Sequence, residues 1–217
     1  MKTKIFFLSI ICFCSLIMQA QKEIVIGKQV WMSKNLNVDR FQNGDLIPEA
    51  KTREQWDIAS KELKPAWCYF DNNPDNGEKY GRLYNYYAII DPRGLAPKGW
   101  RIADDEDWKS LEREIGLTEN QIDLEEFPDD WEKNNITYDR GQLLKIVSRI
   151  NNMGIEILLG GFRGYDGTFL LFDEEISFFS PRYPLDKDWV ISRSARNENI
   201  CRATAPGGSG MYIKIVR

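Results

Sequence analysis

No histidine occurs anywhere in the chain. That absence removes every histidine-based triad or dyad, every histidine-ligated metal site, and the side chain best suited to proton transfer near neutral pH. Cysteine is scarce as well: there are four, and Cys12 and Cys14 lie inside an N-terminal apolar run. Runs of lysine or arginine are lacking, and the formal net charge is −4. Bulk electrostatics therefore disfavour nucleic acid and anionic membrane surfaces as partners. The one long apolar run, Ile5 to Ile17, is shorter than the roughly 20 residues that span a bilayer comfortably. No internal repeat and no low-complexity linker marks a domain boundary.

What is present begins with that apolar run. Lys2 and Lys4 precede it and Met18-Gln19-Ala20 follows, the order of a secretory signal peptide. Residues 1–20 are read as that signal, cleaved after Ala20, and residues 21–217 as one exported domain that does not span the membrane. Its destination is the periplasm, the outer surface or the medium. Neither Cys12 nor Cys14 follows a small residue, so no lipid anchor is expected. Loss of Lys2 and Lys4 moves the net charge from −4 to −6. All seven tryptophans and all nine tyrosines stay in the mature part, enough for a packed core. Cys68 and Cys201 remain. In an oxidising compartment they either form a disulfide or persist as two buried thiols. A bond would close a loop of about 133 residues, worth ~5 kcal/mol in loop-entropy terms.

Local signals then divide the chain. Glu23 to Trp31 reads as two short strands around a turn at Gly27-Lys28. Asn43-Gly44-Asp45 is a turn, and Thr52 with Gln55 forms a capping box opening a helix to Ala59. Leu83 to Ile90 fits a strand or a short buried helix, and periodicity does not arbitrate. Two turns follow at residues 91–94 and 96–99. A helix starts at Asp104, buries Trp108, Leu111 and Ile115 on one face, and stops at Gly116. Thr118 to Gln121 is a second capping box, Phe127 to Asp139 an exposed acidic insertion, and Gly141 to Ile150 a helix. Ile155 to Arg217 is strand-like and rich in turns. Strands, then helices, then strands again make an α+β pattern.

Three segments carry a family resemblance: "IGKQVWMSKNLNVDRFQNGDLIPEAK", "PAWCYFDNNPDNGEKYGRLYNYYAIIDPRGLAPKGWRIADDEDWKSL" and "LLGGFRGYDGTF". Together they closely resemble the Fibrobacter succinogenes major paralogous domain, an exported bacterial domain. The resemblance runs nearly without gaps from Glu23 to Lys109 and is patchy beyond. It implies a C-type-lectin-like α+β fold, in which the N- and C-terminal strands pair. "GWRIADDEDWKSL" is also similar to a Gly-Trp-Arg-Leu-Pro segment of formylglycine-generating enzymes, with Ala103 in place of the proline. Relatives of this fold act through a late cysteine pair or through iron-binding histidines, and this chain has neither set. The family's late cysteine in a closing strand is here Ile215, which counts against the pairing of Cys68 with Cys201.

Candidate chemistry is thin. Asp71, Asn73 and Asp75 place oxygen side chains at alternate positions, a weak calcium pattern. An EF-hand would need glycine and glutamate where Asn76 and Arg82 stand. The simpler reading is a turn preset by Pro74 with positive φ at Gly77. The acids Asp104 to Asp107 complement a helix N-terminus, and paired-carboxylate hydrolysis of envelope polysaccharide is the enzymatic alternative. Tyr165, Asp166, Trp189, Arg193, Arg196 and Asn197 mix aromatic and polar groups in late loops, where binding residues usually sit. The expectation is a non-enzymatic exported domain, without cofactor or resident metal, that binds or displays. Its partner would be an extracellular glycan or protein; a purely structural surface module is the remaining alternative.

Overall fold

Burial alternates from the first strand onward. In β1 (Glu23–Ile26), Ile24 and Ile26 point inward and Val25 is 73% exposed, the signature of a strand with one wet face. The computed structural model describes residues 22–122, 146–181, 189–196 and 199–217. The signal segment, the acidic insertion at residues 127–139, and Asn197 lie outside the described residues. β1 turns at Gly27, whose φ of +55° suits glycine, into β2 (Gln29–Met32). β5 (Arg101–Ile102) and β11 (Ile215–Val216) complete a four-stranded sheet ordered β1-β2-β11-β5. Trp31 is opposite both Ile24 and Val216, so the N- and C-terminal strands pair.

The helices begin where the caps are. In α1 (Arg53–Lys61) the Thr52 side chain accepts from Gln55 N–H and the Gln55 side chain answers the cap backbone. α4 (Asp105–Glu114) is capped by Asp104, with Asp107 as the reciprocal partner, and buries Trp108 and Leu111. It ends before Gly116 at φ +90°. A short α5 (Glu119–Ile122) follows, and α6 (Ile146–Met153) runs past the expected end at Ile150.

The aromatic stretch near residue 70 differs from its sequence reading. β3 (Trp67–Cys68) pairs with β4 (Leu83–Tyr84), and α3 (Tyr86–Ile89) follows, so Leu83 to Ile90 is a strand and then a helix. Between them a 3-10 turn, Phe70–Asn72, leads into α2 (Pro74–Tyr80). The positive φ falls at Asp71 and Asn72, whereas Gly77 is helical. The reason is local: Asn73 caps the helix by accepting from Asp75 N–H, and Pro74 occupies its first turn. Glycine at 77 meets a packing need instead, since a Cβ there would lie 2.0 Å from Tyr69 Cε1.

The second large sheet has the order β10-β9-β8-β6-β7. Its strands are β6 (Gly160–Arg163), β7 (Phe169–Phe172), β8 (Glu175–Phe179), β9 (Trp189–Arg196) and β10 (Asn199–Pro206). Antiparallel pairs join all of them except β6 and β8, which run parallel at Gly161 and Ile176. The architecture is α+β. One core cluster links the two large sheets through α4: Trp31 meets Trp108 edge-on at 5.4 Å, and Trp108 meets Phe178 at 5.2 Å.

Two polar side chains are enclosed with that core. The Arg163 guanidinium donates to the carbonyls of Ala50, Thr52 and Gly167. Lys214 Nζ donates to the carbonyls of Ser33 and Glu156, at 2.7 Å each. Both satisfy a buried cation with backbone dipoles.

The disulfide alternative is corrected by the structure. Cys68 is wholly buried on β3, Cys201 is half-buried on β10, and no bond joins them. The two strands belong to different sheets, and the Cys201 thiol faces the Ser194 carbonyl on its neighbour β9.

Candidate functional site

The loop joining β6 to β7 is built around Asp166. Its carboxylate accepts from Thr168 N–H (3.0 Å), from Thr168 Oγ1 (2.9 Å) and from Arg53 Nη2 (2.5 Å). Those Thr168 hydrogen bonds, with Arg53 adding to them, hold the Asp166 carboxyl below the usual range. Gly167 at φ +85° packs against the Arg53 backbone. Asp166 is thus engaged within its own loop and with Arg53, while the neighbouring Tyr165 is left 59% exposed.

Trp189, 45% exposed, stands at the open end of the β9–β10 hairpin, opposite Pro206. Two residues further on, a Cβ at Gly208 would lie 3.3 Å from Tyr165 Cβ. The short Pro206–Gly208 segment therefore connects the two exposed rings. Below it, Trp56 Nε1 donates to Gly208 O and Tyr86 N–H to Gly207 O, which fixes the segment from the core side.

Arg193 is elsewhere. It is completely buried, with Nε 3.2 Å from Glu112 Oε1 and Nη1 2.8 Å from Asp105 Oδ1, out of line for a hydrogen bond. Arg202 and Lys109 also approach Asp105. An exposed ligand contact through Arg193 is thereby corrected to a buried ion cluster between α4 and the β9–β10 hairpin. The acids of "ADDED" divide their labour more finely than dipole complementarity alone. Asp104 caps the helix, Asp105 faces Arg193, and Asp107 takes the Arg101 guanidinium and Gln29 Nε2. Burial pushes the Asp104 carboxyl up. Each buried acid of this helix has a cation within reach that compensates its charge inside the fold.

Arg196 lines a cleft of about 470 Å³, together with Asp173, Glu174 and residues of α6 and the 157–159 segment. Of the predicted residues, Tyr165 and Asp166 lie on the β6–β7 loop beside Gly208, and Trp189 pairs with Pro206 two residues before it. Arg196 lies at the cleft, Arg193 in the interior, and Asn197 outside the described residues.

The calcium candidates Asp71, Asn73 and Asp75 lie in the 3-10 turn, at the cap and in the first turn of α2. Asn73 Oδ1 is taken by the helix cap, and Asp71 is exposed at φ +53°. Among the described residues, no group of three or more histidine, cysteine, aspartate or glutamate side chains is arranged to hold a metal ion. The Cys68 thiol is pushed up to about 12 by burial, and nearby Arg163 only partly opposes this. Such a thiol is not a nucleophile. No helix among the described residues is long and apolar enough to cross a membrane.

The family model of the Fibrobacter succinogenes major domain matches residues 24–217. Comparison with curated proteins and with solved structures gives no match.

Proposed function

Since the chain belongs to the Fibrobacter succinogenes major domain family, we propose that it is an exported, non-catalytic module that binds an extracellular glycan through Tyr165 and Trp189. The observation that carries this reading is the pair of exposed rings held at the two ends of Pro206–Gly208. An aromatic face offers a flat apolar surface to the C–H side of a sugar ring, and a tyrosine hydroxyl adds a polar handle. Arg53 and Asp166 beside Tyr165 supply donors and acceptors for sugar hydroxyls. Export is supported by Lys2, Lys4, the apolar run Ile5 to Ile17 and the exit at Ala20. A C-type-lectin-like arrangement is supported by the pairing of β2 with β11.

Glycan-array binding of the purified protein tests the reading, with Tyr165→Ala and Trp189→Ala as variants. Binding to a defined set of glycans, lowered about tenfold by either change, is expected, since one base- or sugar-sized stacking contact is worth roughly 1–2 kcal/mol. An array without signal, or with signal indifferent to both rings, rejects it. Mass spectrometry of the secreted form, expected to begin at Gln21, tests the export component.

A further inference from the structure

We propose that the cleft between α6 and the β7–β8 turn binds a small organic cation with an aliphatic body, at a site separate from the aromatic face. Its volume, about 470 Å³, falls within the range of small-molecule sites. The wall is aliphatic: Val147 from α6, then Ile157, Leu158 and Leu159. Asn151 holds that wall in place, accepting from Ile157 N–H at 2.7 Å and donating to Ile157 O at 3.2 Å. Its amide is thus engaged with the backbone, which leaves the polar character of the cleft to its mouth.

At the mouth stand Asp173, Glu174 and Arg196. Arg196 Nη2 lies 3.5 Å from Glu174 Oε2, so one carboxylate is balanced. The Asp173 carboxylate accepts no hydrogen bond from a side chain or backbone among the described residues. Lys79, a cation that acts on it through space, donates its hydrogen bond to Tyr80 Oη at 2.7 Å. The Asp173 backbone is fixed, with φ +59° and its N–H on Leu159 O, so the carboxylate is anchored at the cleft edge. A carboxylate without a hydrogen-bond partner among the described residues, set above an aliphatic wall, selects a ligand with the opposite layout. An ammonium group would meet Asp173 while its alkyl part covers Leu158 and Leu159. Neutral and anionic molecules of the same shape lose the charge contact or are repelled. Among the described residues no aromatic ring lines the cleft, which sets its chemistry apart from the sugar-stacking face.

The test is an NMR titration of the purified protein with hexylammonium, using hexan-1-ol and hexanoate as neutral and anionic probes of equal length. Saturable methyl shifts at Val147, Leu158 and Leu159 are expected with hexylammonium, and binding about tenfold weaker with hexan-1-ol. Asp173→Asn keeps the backbone, because asparagine tolerates positive φ as aspartate does. It should bring the affinity for hexylammonium down to that of hexan-1-ol. Equal binding of amine and alcohol in the unaltered protein, shifts confined to other residues, or no saturable binding would each overturn the proposal. Loss of the glycan response in Tyr165→Ala leaves this outcome untouched, so the two readings fail separately.

Discussion

The guanidinium of Arg163 lies over Trp56, 4.7 Å from its ring centre, and 4.6 Å from Phe169 on the same wedge of core. No carboxylate forms an ion pair with it among the described residues. Three backbone carbonyls and two π faces hold a buried charge, and their geometry requires a planar donor with a fixed fork.

Arg163→Lys should therefore be nearly as damaging as Arg163→Met. A lysine reaches one or two of those carbonyls and stacks poorly, leaving the rest without donors. A loss of about 3 kcal/mol is expected, measured by urea unfolding. A lysine variant within about 0.5 kcal/mol of the original would show that charge alone suffices there.

Lys214 gives the fold an unusual pH response. Burial lowers its pKa from the ordinary 10.5 to about 7, with Glu156 opposing weakly. Between pH 7 and 10.5 the unfolded chain binds a proton that the folded one does not, so this residue makes stability rise with pH across that window. Below pH 7 both states are charged and the full penalty, a few kcal/mol, is present. Unfolding midpoints at pH 6, 8 and 9.5 should climb in the original and stay flatter in Lys214→Met. Parallel curves would contradict the assignment.

Gly77→Ala sets two effects against each other. Alanine in a helix is favoured over glycine by about 1 kcal/mol. Here the new Cβ meets the Tyr69 ring at 2.0 Å, and displacing a packed ring costs about 1–3 kcal/mol. The clash should win, giving net destabilisation in a thermal melt. In a Tyr69→Ala background the same change should become neutral or stabilising, and failure to reverse sign would point away from the ring.

The cysteines predict an insensitivity. Reductant should leave the melting temperature of the purified protein unchanged, since Cys68 and Cys201 are not bonded. With a thiol reagent in native buffer, Cys68 should react only as fast as the protein unfolds. A melting temperature lowered by reductant would mean that the protein carries a bond.

What the sequence disclosed is mostly what neighbours decide. Thr52 with Gln55, the helix start at Asp104, and Gly27 in its hairpin act over a few residues, and each forms where expected. The turn reading of Gly77 fails because Asn73 capping with Pro74 at the first helical position is a stronger local signal than the turn-like run before it. Arg193 could not be placed from its neighbours at all, since its partner Glu112 lies 81 positions away. The exposed rings of Tyr165 and Trp189 were visible as aromatics in late loops. The cleft was not, because α6, the 157–159 segment, the β7–β8 turn and the end of β9 each contribute to it. Packing between distant segments leaves little trace in any one of them.

The order β1-β2-β11-β5 sets the timetable of assembly. β11 sits between β2 and β5, so a nascent chain that has completed both flanking strands still has a gap where residues 215–216 belong. Contacts between such remote positions form slowly. The sheet can close only once residues 215–216 are in place, long after β1, β2 and β5 have been made.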